Sequence, residues 1–526
     1  MANAGDRTGL DKEGAAVTYQ RLSNDRAPYI TRAETNAQYT IPSAFPKGSD
    51  NGSTDYETPY QSVGARGLNN MASKMLLSQF PVGDPFFKLS INEFLLKQVG
   101  DEEVVQSASM GLSLVERVAM RYLEGANFRP TAFEAMKQLL VCGNGMLFMP
   151  PGEQAVKLYR LHNYVIERDT IGRVLQGVTE DEMAWITLPE EIRAKVEEPE
   201  QPTERIKVYT HFYIDPDNEG QYLSYQEVEG EVVQGTENTF PADALPWIPM
   251  RLFKTDGESY GRSFVEQYIG DLVSMENLSQ SIVEFAQAAS KVMFLVRPGG
   301  QTSARRLTKA KNGAFVAGNK DDIQVFQLEK YADFQVAEKV TQTLETRLGI
   351  AFLLNSAVQR GGDRVTAEEI RYVANELEAT LGGIYSVLST EFQLPLVRRL
   401  LVDLQLTRKI PSLPKEAIEP MVITGLDAIG RGQDMDKLMQ FYGAASPALQ
   451  FVSGSINWDN YVLRVAEASG IDPQGLLMTP EQRQQAQAQQ AQEQAMQAAA
   501  VQGGAAAGAN LGMAATDPEG IAAAVQ

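Results

Sequence analysis

Two arginines that flank a glycine pair are the first residues whose types and spacing suggest binding chemistry. Arg360 and Arg364 enclose Gly361, Gly362 and Asp363. A guanidinium group binds phosphate oxygens through paired hydrogen bonds, and a glycine pair lets the backbone between two such groups change conformation. The pattern therefore suggests a moving loop that contacts phosphates. The alternative is a surface loop whose arginines pair with neighbouring carboxylates.

A second candidate is a basic segment that lies between two long predicted helices. From Lys291 to Lys320 the chain contains lysines and arginines but no aspartate or glutamate. Nucleic acid and an acidic protein would both suit such a segment, and a merely solvated face is the third interpretation. We favour protein docking with some DNA contact. The candidate binding residues are Arg297, Arg305, Arg306, Lys309, Lys311 and Lys320.

The helix predicted before this segment carries charge of the opposite sign. Ser263 and Glu266 form a capping box, and the helix that it opens is expected to extend to Lys291. No lysine or arginine occurs between Ser263 and Ser290. The acidic positions of this helix are Glu266, Asp271, Glu276 and Glu284.

The sequence has few of the residues that a catalytic or metal-binding site requires. The only histidines are His162 and His211 and the only cysteine is Cys142, so neither a zinc site nor an internal disulfide is expected. The chain lacks a Gly-Lys dipeptide and therefore a P-loop. The turn Asp215–Gly220 lacks the glutamate that closes a calcium loop, and Gly143–Gly145 is better explained as a helix-to-strand turn than as a phosphate loop. We predict no cofactor, no metal and no enzymatic activity.

Composition sets further limits on the function. The chain has 526 residues, a formal net charge of −20 and 43% hydrophobic residues, which is enough for several packed domains. A molecule this acidic repels nucleic acid as a whole, so any contact with DNA must be local. No signal peptide and no membrane-spanning apolar run is apparent, and we expect a protein made in the cytoplasm.

The order of predicted elements indicates a multidomain α+β chain. Amphipathic helices precede Gly145, and short alternating runs separated by turns then predict a mostly antiparallel β region. A Glu/Pro-rich insert, Glu190–Glu204, is expected to be a solvated excursion. Strands at Val292–Val296 and Phe315–Ala317 are expected in the basic segment. Asp333 is expected to cap a return helix whose apolar stripe, Val336–Phe352, should be buried against the first long helix.

Beyond the glycine pair, Thr366 and Glu369 form a capping box that begins a helix to Gln393, and Pro395 should kink its continuation. A compact helical domain and a Gln/Ala/Gly-rich tail follow.

This order of parts resembles the portal proteins, or head-to-tail connectors, of short-tailed phages. The resemblance rests on Asp256-Gly-Glu-Ser-Tyr-Gly-Arg-Ser263 and on Arg364-Val-Thr-Ala-Glu-Glu-Ile-Arg371. Supporting matches are Gln393-Leu-Pro-Leu-Val-Arg-Arg399 and Ile456-Asn-Trp-Asp-Asn-Tyr461. The resemblance covers roughly residues 10 to 480. The combination of motifs is specific, although no single motif is.

The resemblance implies a ring, usually of twelve subunits, with an α+β wing, a two-helix stem, a small basic clip and a helical crown. The division it implies is wing 1–262, first stem helix 263–291, clip 292–328, second stem helix 329–355, tunnel loop 356–365, wing return helices 366–430, crown 431–478 and tail 479–526.

The function implied is a ring-shaped DNA channel at one capsid vertex, through which the genome is packaged and ejected. The expected partners are other copies of the chain, double-stranded DNA, the terminase large subunit, a tail adaptor, and the scaffolding and major capsid proteins, with no membrane. An acidic stem suits such a channel, because each neutralised phosphate would slow the moving DNA. The alternatives are a scaffold or capsid-associated assembly protein and a component of the packaging enzyme.

Overall fold

The computed structural model describes residues 10, 12–48, 50–81, 85–91, 102–188, 190–193, 196, 198–289, 293–326, 331–354, 384–413, 418–422, 443, 461 and 465. The chain divides into two compact units, Met1–Ile429 and Gly430–Gln526, and the elements below belong to the first. Its helices are α1 Ala15–Gln38, α2 Val63–Gln79, α3 Glu102–Gly125, α4 Phe128–Cys142, α5 Glu190–Arg193, α6 Ile269–Ala289, α7 Ala304–Lys309, α8 Tyr331–Ala351, α9 Ile384–Leu388 and α10 Leu394–Leu406.

The strands are β1 Phe87–Ile91, β2 Asn144–Phe148, β3 Lys157–Tyr159, β4 Tyr164–Arg168, β5 Val174–Ala184, β6 Arg205–Ile214, β7 Gln221–Val228, β8 Glu231–Val232, β9 Asn238–Pro241, β10 Trp247–Arg251, β11 Met293–Val296, β12 Ile323–Phe326 and β13 Ile418–Val422. They pair antiparallel in every sheet of the described residues. The prediction of a mostly antiparallel β region after Gly145 is therefore confirmed.

The largest sheet has the order β4-β5-β6-β7-β8, with β9 pairing β7. A smaller sheet has the order β10-β2-β3, and β1–β13 and β11–β12 are separate ladders. The main core lies where α2, α4 and α10 meet the smaller sheet, and it includes Leu68, Met136 and Leu400, which are fully buried. Burial of such side chains contributes roughly 1.5–3 kcal/mol each.

The Glu/Pro-rich insert is less exposed than the sequence suggests, so the prediction of a solvated excursion is wrong for part of it. Ile192 and Val196 are buried and pack with Val208, Val228 and Val233. Two apolar side chains in an otherwise polar run are enough to attach the insert, because the valines of β6 and β7 offer them an apolar surface.

Helices α6 and α8 form an antiparallel pair, which we call the arm, and residues 293–326 at its end form the tip. The pairing is fixed at one end by the Arg347–Asp271 ion pair at 2.9 Å and at the other by Phe285 and Phe334, whose ring centroids lie 5.0 Å apart. Fourteen residues at about 1.5 Å each place these two contacts roughly 20 Å apart along α6.

The expected burial of the α8 stripe holds for only half of its length. Leu344, Leu348 and Phe352 are buried, whereas Val336 is 64% exposed and Val340 44% exposed within the single chain. Among the described residues, α6 is the helix that packs beside the half of α8 near the tip, where Phe285 contacts Phe334.

Two further expectations about this region are wrong. Helix α8 begins at Tyr331, so Asp333 lies inside the helix and does not cap it. The strand that pairs with β11 is Ile323–Phe326 and not Phe315–Ala317. Phe315 is fully exposed, and the irregular segment that contains it begins with the turn at Gly313, whose φ is 85°.

The kink expected at Pro395 takes the form of a π-helical turn over Ser389–Gln393. Proline has no N–H, so the carbonyl of Glu391 loses its partner four residues later, and the helix widens before α10 begins. Three successive side chains anchor this turn. Glu391 pairs with Arg251, Phe392 lies edge-on to Phe80, and the Gln393 amide donates to the carbonyl of Gln79 at 2.8 Å.

Candidate functional site

The arm joins the body at the Asp256–Ser263 motif, where two backbone segments touch. Gly261 donates its N–H to Asn144 Oδ1 at 2.6 Å, and Asn144 Nδ2 donates to the Gly261 carbonyl at 2.9 Å. A Cβ on Gly261 would lie 2.7 Å from the Gly143 carbonyl oxygen. Gly143 itself has a φ of 78° and ends α4, so Gly143–Gly145 is the helix-to-strand turn that the sequence predicts.

Ser263 connects this junction to the start of the arm. Its hydroxyl accepts the backbone N–H of Glu266 at 3.0 Å, so the predicted capping bond is present. The same oxygen accepts the Asn36 side-chain amide at 2.8 Å, which ties α1 to the arm. A short 3-10 turn over Val265–Tyr268 then leads into α6.

Of the four acidic candidates on this helix, the first two are ion-paired within the chain. Glu266 lies 3.3 Å from Arg262 and 3.5 Å from Arg32. Asp271 lies 2.9 Å from Arg347 on the other arm helix. Both carboxylates therefore help to position the arm.

Glu276 and Glu284 differ from each other in what they bind. The two oxygens of Glu276 accept the backbone N–H groups of Tyr60 and Gln61 at 2.9 and 3.1 Å, so this carboxylate attaches the segment before α2 to the arm. Glu284 is exposed and accepts only the Gln280 amide, at 2.9 Å, among the described residues. Glu284 is thus the candidate whose charge remains available to solvent.

The end of α8 is held by a group of residues that the sequence analysis missed. Leu353 has a φ of 53°, a left-handed conformation that is costly for leucine. Asn70 Nδ2 donates to the carbonyls of Phe352 and Leu353, both at 3.0 Å, and Lys74 Nζ donates to the Leu353 carbonyl at 2.9 Å. A cation at a helix C-terminus also interacts favourably with the helix dipole. The one signal in the sequence was that Asn70 and Lys74 are four residues apart and therefore lie on the same side of α2.

Phe352 packs at the same place, against the body. A Cβ on Gly67 would lie 2.5 Å from the Phe352 ring, and the ring centroids of Phe264 and Phe352 are 5.5 Å apart. This close approach requires glycine on α2 and fixes the base of both arm helices to the core.

The tip carries all six basic candidates on its surface. Each is exposed, and none has an ion-pair partner among the residues the structure describes. Arg305, Arg306 and Lys309 lie on α7 and border an open groove of about 570 Å³. The rest of its lining is Ser303, Ala310, Ala314 and Val316. Arg297, Lys311 and Lys320 lie outside that lining.

A buried aspartate holds the tip together. Asp322 Oδ2 accepts both the backbone N–H and the hydroxyl of Thr302 at 3.0 Å, and Asn319 donates its N–H to Thr302 Oγ1 at 2.7 Å. A Cβ on Gly300 would lie 2.6 Å from Asp322 Oδ1. These bonds join the two ends of the tip and fix the frame on which α7 is presented.

The histidines and the cysteine have structural surroundings. His211 is buried between Tyr225 and Gln176, and the ring of His162 packs against that of Phe45 at a tilt, with a centroid distance of 4.6 Å. Burial raises the pKa of the Cys142 thiol to about 12, so it is not a thiolate near neutral pH.

The described part of the chain offers neither a metal site nor a membrane-spanning helix. It contains no group of three or more histidine, cysteine, aspartate or glutamate residues that could hold a metal ion. No helix within it is long and apolar enough to cross a membrane. Arg360, Gly361, Gly362, Asp363 and Arg364 lie outside the described residues, as does the capping box at Thr366.

Comparison with known proteins now decides the family. A family model described as bacteriophage head to tail connecting protein matches residues 12–477. The chain belongs to this family. The portal protein of Escherichia phage T7 is 55% identical over 491 residues, which are 92% of this chain and 91% of the relative. The portal protein of Enterobacteria phage T3 is 54% identical over 487 residues, with 91% and 90% covered.

A more distant relative has the same name. The portal protein of Enterobacteria phage SP6 is 30% identical over 483 residues, 89% of this chain and 92% of the relative. Among solved structures, the chain is similar to one from the neck of a native gene transfer agent (GTA) particle computed with C12 symmetry. The match covers 76% of this chain and 89% of the neck chain, at 13% identity and a TM-score of 0.36.

The resemblance inferred from the sequence is therefore confirmed, as is the α+β multidomain fold class. The portal function expected from it is confirmed as well, and the scaffold and packaging-enzyme alternatives are not favoured. The relatives are named as portal proteins, and no catalytic activity appears in their names. As a head-to-tail connecting protein, the chain is a component of the virion at that connection.

Proposed function

We propose that the chain assembles into a ring, of twelve copies, whose central channel carries double-stranded DNA into and out of the capsid. The observation that carries the proposal is the match of residues 12–477 to head-to-tail connecting proteins. In this proposal the terminase large subunit supplies the work of packaging, and the ring itself has no enzymatic activity. A tail adaptor replaces the motor after packaging, and scaffolding and major capsid proteins surround the ring during assembly in the host cytoplasm.

The arm and tip correspond to the stem and clip of this proposal. Helices α6 and α8 take the stem ranges within 263–291 and 329–355, and the tip lies within the clip, 292–328. The wing is 1–262 with its return helices at 366–430, the crown is 431–478 and the tail is 479–526. Exposed apolar side chains on the arm support assembly, since Val336, Val340 and Ile350 would be covered by neighbouring arms in a ring.

The ion pairs of the arm refine the proposed channel surface. A carboxylate that is paired with a cation of its own chain is a weak repulsive group, because its charge is already compensated. Glu266 and Asp271 have arginine partners. Glu276 keeps its charge, but it is half-buried and its two oxygens are bound by backbone N–H groups, whereas Glu284 is exposed. We therefore assign the repulsion of passing phosphates chiefly to Glu284, repeated around the ring.

The loop 356–365 is proposed to line the channel between the arm and the return helices. The Asn70 and Lys74 hydrogen bonds hold the end of α8, which precedes this loop in the sequence. In this proposal Arg360 and Arg364 make brief phosphate contacts, and the glycine pair between them allows the loop to move.

Arg360→Ala combined with Arg364→Ala tests the loop in assembled particles. Rings should form normally, whereas genome filling or retention should fall, since phosphate contacts are lost without any change in the core. Lys12→Ala with Lys47→Ala removes the same charge from the wing and serves as the control. Normal filling and retention in the loop variant would end the proposed role of these arginines.

A hydrolysis assay tests the assignment of the motor. Purified rings without terminase should release no phosphate from ATP. Turnover by the rings alone, abolished by changing one carboxylate, would favour a packaging enzyme instead.

A further inference from the structure

The groove on the tip has chemistry that points to one class of occupant. Arg305 and Lys309 are four residues apart and Arg306 and Lys309 three apart, so three cations gather along one side of α7. Like charges at this spacing destabilise a helix, and a helix of six residues has little stability to lose. The helix dipole offsets part of this repulsion for Arg306 and Lys309, which lie in the last turn. All three cations are exposed and therefore available to a partner.

The lining of the groove is apolar as well as cationic. Ala310, Ala314 and Val316 contribute small apolar side chains, and the neighbouring Phe315 is fully exposed. Apolar and cationic side chains together match a peptide that carries carboxylates beside apolar side chains. A DNA backbone offers phosphates to the cations but no apolar group to the rest of the lining.

Passing DNA suits the groove less well than a protein does. Three cations from each subunit, repeated around a ring, would neutralise many phosphates of a duplex at once. Contacts made from a helix without a glycine pair would hold the DNA that the ring has to let slide, whereas the glycine pair of the proposed tunnel loop lets its arginines release. An acidic protein segment faces no such conflict, because docking requires it to stay in place.

We infer that the α7 groove binds an acidic segment of a partner protein, with carboxylates on Arg305, Arg306 and Lys309 and an apolar side chain against Ala310, Ala314 and Val316. The inference rests on the proposed function, in which the tip is the docking end of the ring. Arginine is suited to this role, because its planar guanidinium binds a carboxylate through two parallel hydrogen bonds. Thr302 and Asp322 keep the frame of the groove rigid before binding, so little ordering is required of the ring.

The experiment uses full-length rings and a fluorescent synthetic peptide of alternating glutamate and leucine, with fluorescence anisotropy at physiological salt. Arg305→Glu with Arg306→Glu should weaken binding about tenfold or more, as expected for two charge-paired contacts at an interface. Lys12→Glu with Lys47→Glu makes the same change in charge at two exposed lysines outside the tip and should alter binding by less than about threefold. A peptide with serine in place of leucine should bind more weakly to unmodified rings.

Several outcomes would overturn the inference. Equal weakening by the two double variants would mean that diffuse charge attracts the peptide and that the groove has no part. Displacement of the peptide by short duplex DNA at lower concentration would assign the groove to nucleic acid. No peptide binding by intact rings would refute the groove alone, whereas failure of the unmodified chain to form rings would refute the proposed function.

Discussion

Replacing Glu276 by glutamine separates an anchoring role from a channel-lining role for the acidic residues of the arm. The carboxylate accepts two backbone N–H groups, from Tyr60 and Gln61. Hydrogen bonds to a charged group are worth about 1.5–3 kcal/mol each. Glutamine keeps one oxygen, without charge, and the site is partly open to water. We therefore expect the local opening free energy of this segment to fall by about 1–2 kcal/mol.

Hydrogen exchange measured by mass spectrometry reads this local change directly. A loss of about 1–2 kcal/mol makes the amides of Tyr60 and Gln61 exchange roughly 5 to 30 times faster. Glu284→Gln is the matched control, since Glu284 is exposed and contacts no backbone group of that segment. Exchange at Tyr60 and Gln61 should be unchanged in the control.

The reasoning is refuted if Glu276→Gln leaves the exchange of both amides unchanged. It is also refuted if Glu284→Gln accelerates them equally. Either result would mean that Glu276 does not hold the segment.

Three further predictions concern the junction, the arm surface and pH. Gly261→Ala should lower stability by about 2 kcal/mol or more, because its Cβ would meet backbone at 2.7 Å, whereas Gly270→Ala in α6 meets nothing within 4 Å and should be neutral or slightly stabilising. Val336→Asp with Val340→Asp should leave the subunit folded but abolish ring formation, since charge would replace apolar surface proposed to face a neighbour. Stability should fall as the pH drops below about 6.5, because burial lowers the pKa of His162, and His162→Gln should flatten that part of the profile.

The sign of the pH effect follows from where His162 binds its proton. Above about pH 6.5 the imidazole of His162 is neutral in both the folded and the unfolded chain. Below that pH the unfolded chain takes up a proton first, so unfolding is favoured until the lowered folded-state pKa is passed. Glu34 lies 3.6 Å from His162 Nε2, beyond hydrogen-bond length, so its attraction for the proton is outweighed by burial.

Each of these three predictions has a contrary result. Equal melting temperatures for the two glycine variants would contradict the close backbone approach at the junction. Rings assembled from the double aspartate variant would show that this half of α8 faces solvent or the channel. A pH profile of stability that His162→Gln leaves unchanged would show that other groups control it.

Local signals in the sequence were sufficient where the interacting residues are neighbours in the chain. The Ser263–Glu266 cap depends on residues three apart, and the turn at Gly143 depends on one glycine. Both are fixed by backbone geometry that short sequences encode well. The division of the chain and the binding residues of the loop, tip and arm remain predictions.

Contacts between residues that are far apart in the chain could not be predicted from the sequence. Glu276 binds Tyr60, which is 216 residues away, and nothing in an acidic helix distinguishes such an anchor from a free carboxylate. The strand partner of β11 was misplaced for a similar reason. The pairing depends on the bonds between Thr302 and Asn319, which decide where the intervening segment folds back.

The exposed half of α8 shows a different limit. Its apolar spacing predicts burial, yet Val336 and Val340 are uncovered in the single chain. Apolar periodicity predicts that one face of a helix is buried, but it does not identify the molecule that buries it. The apolar pattern and the exposure of Val336 and Val340 agree if a second copy of the chain covers them in the proposed ring.

The most direct test of the account is electron microscopy of the purified full-length chain without other phage proteins. We predict closed rings with a central channel, with twelve subunits resolved by class averaging and the basic tip at one end. Monomers, open filaments or closed particles with no central hole would contradict the proposal that this chain encircles DNA.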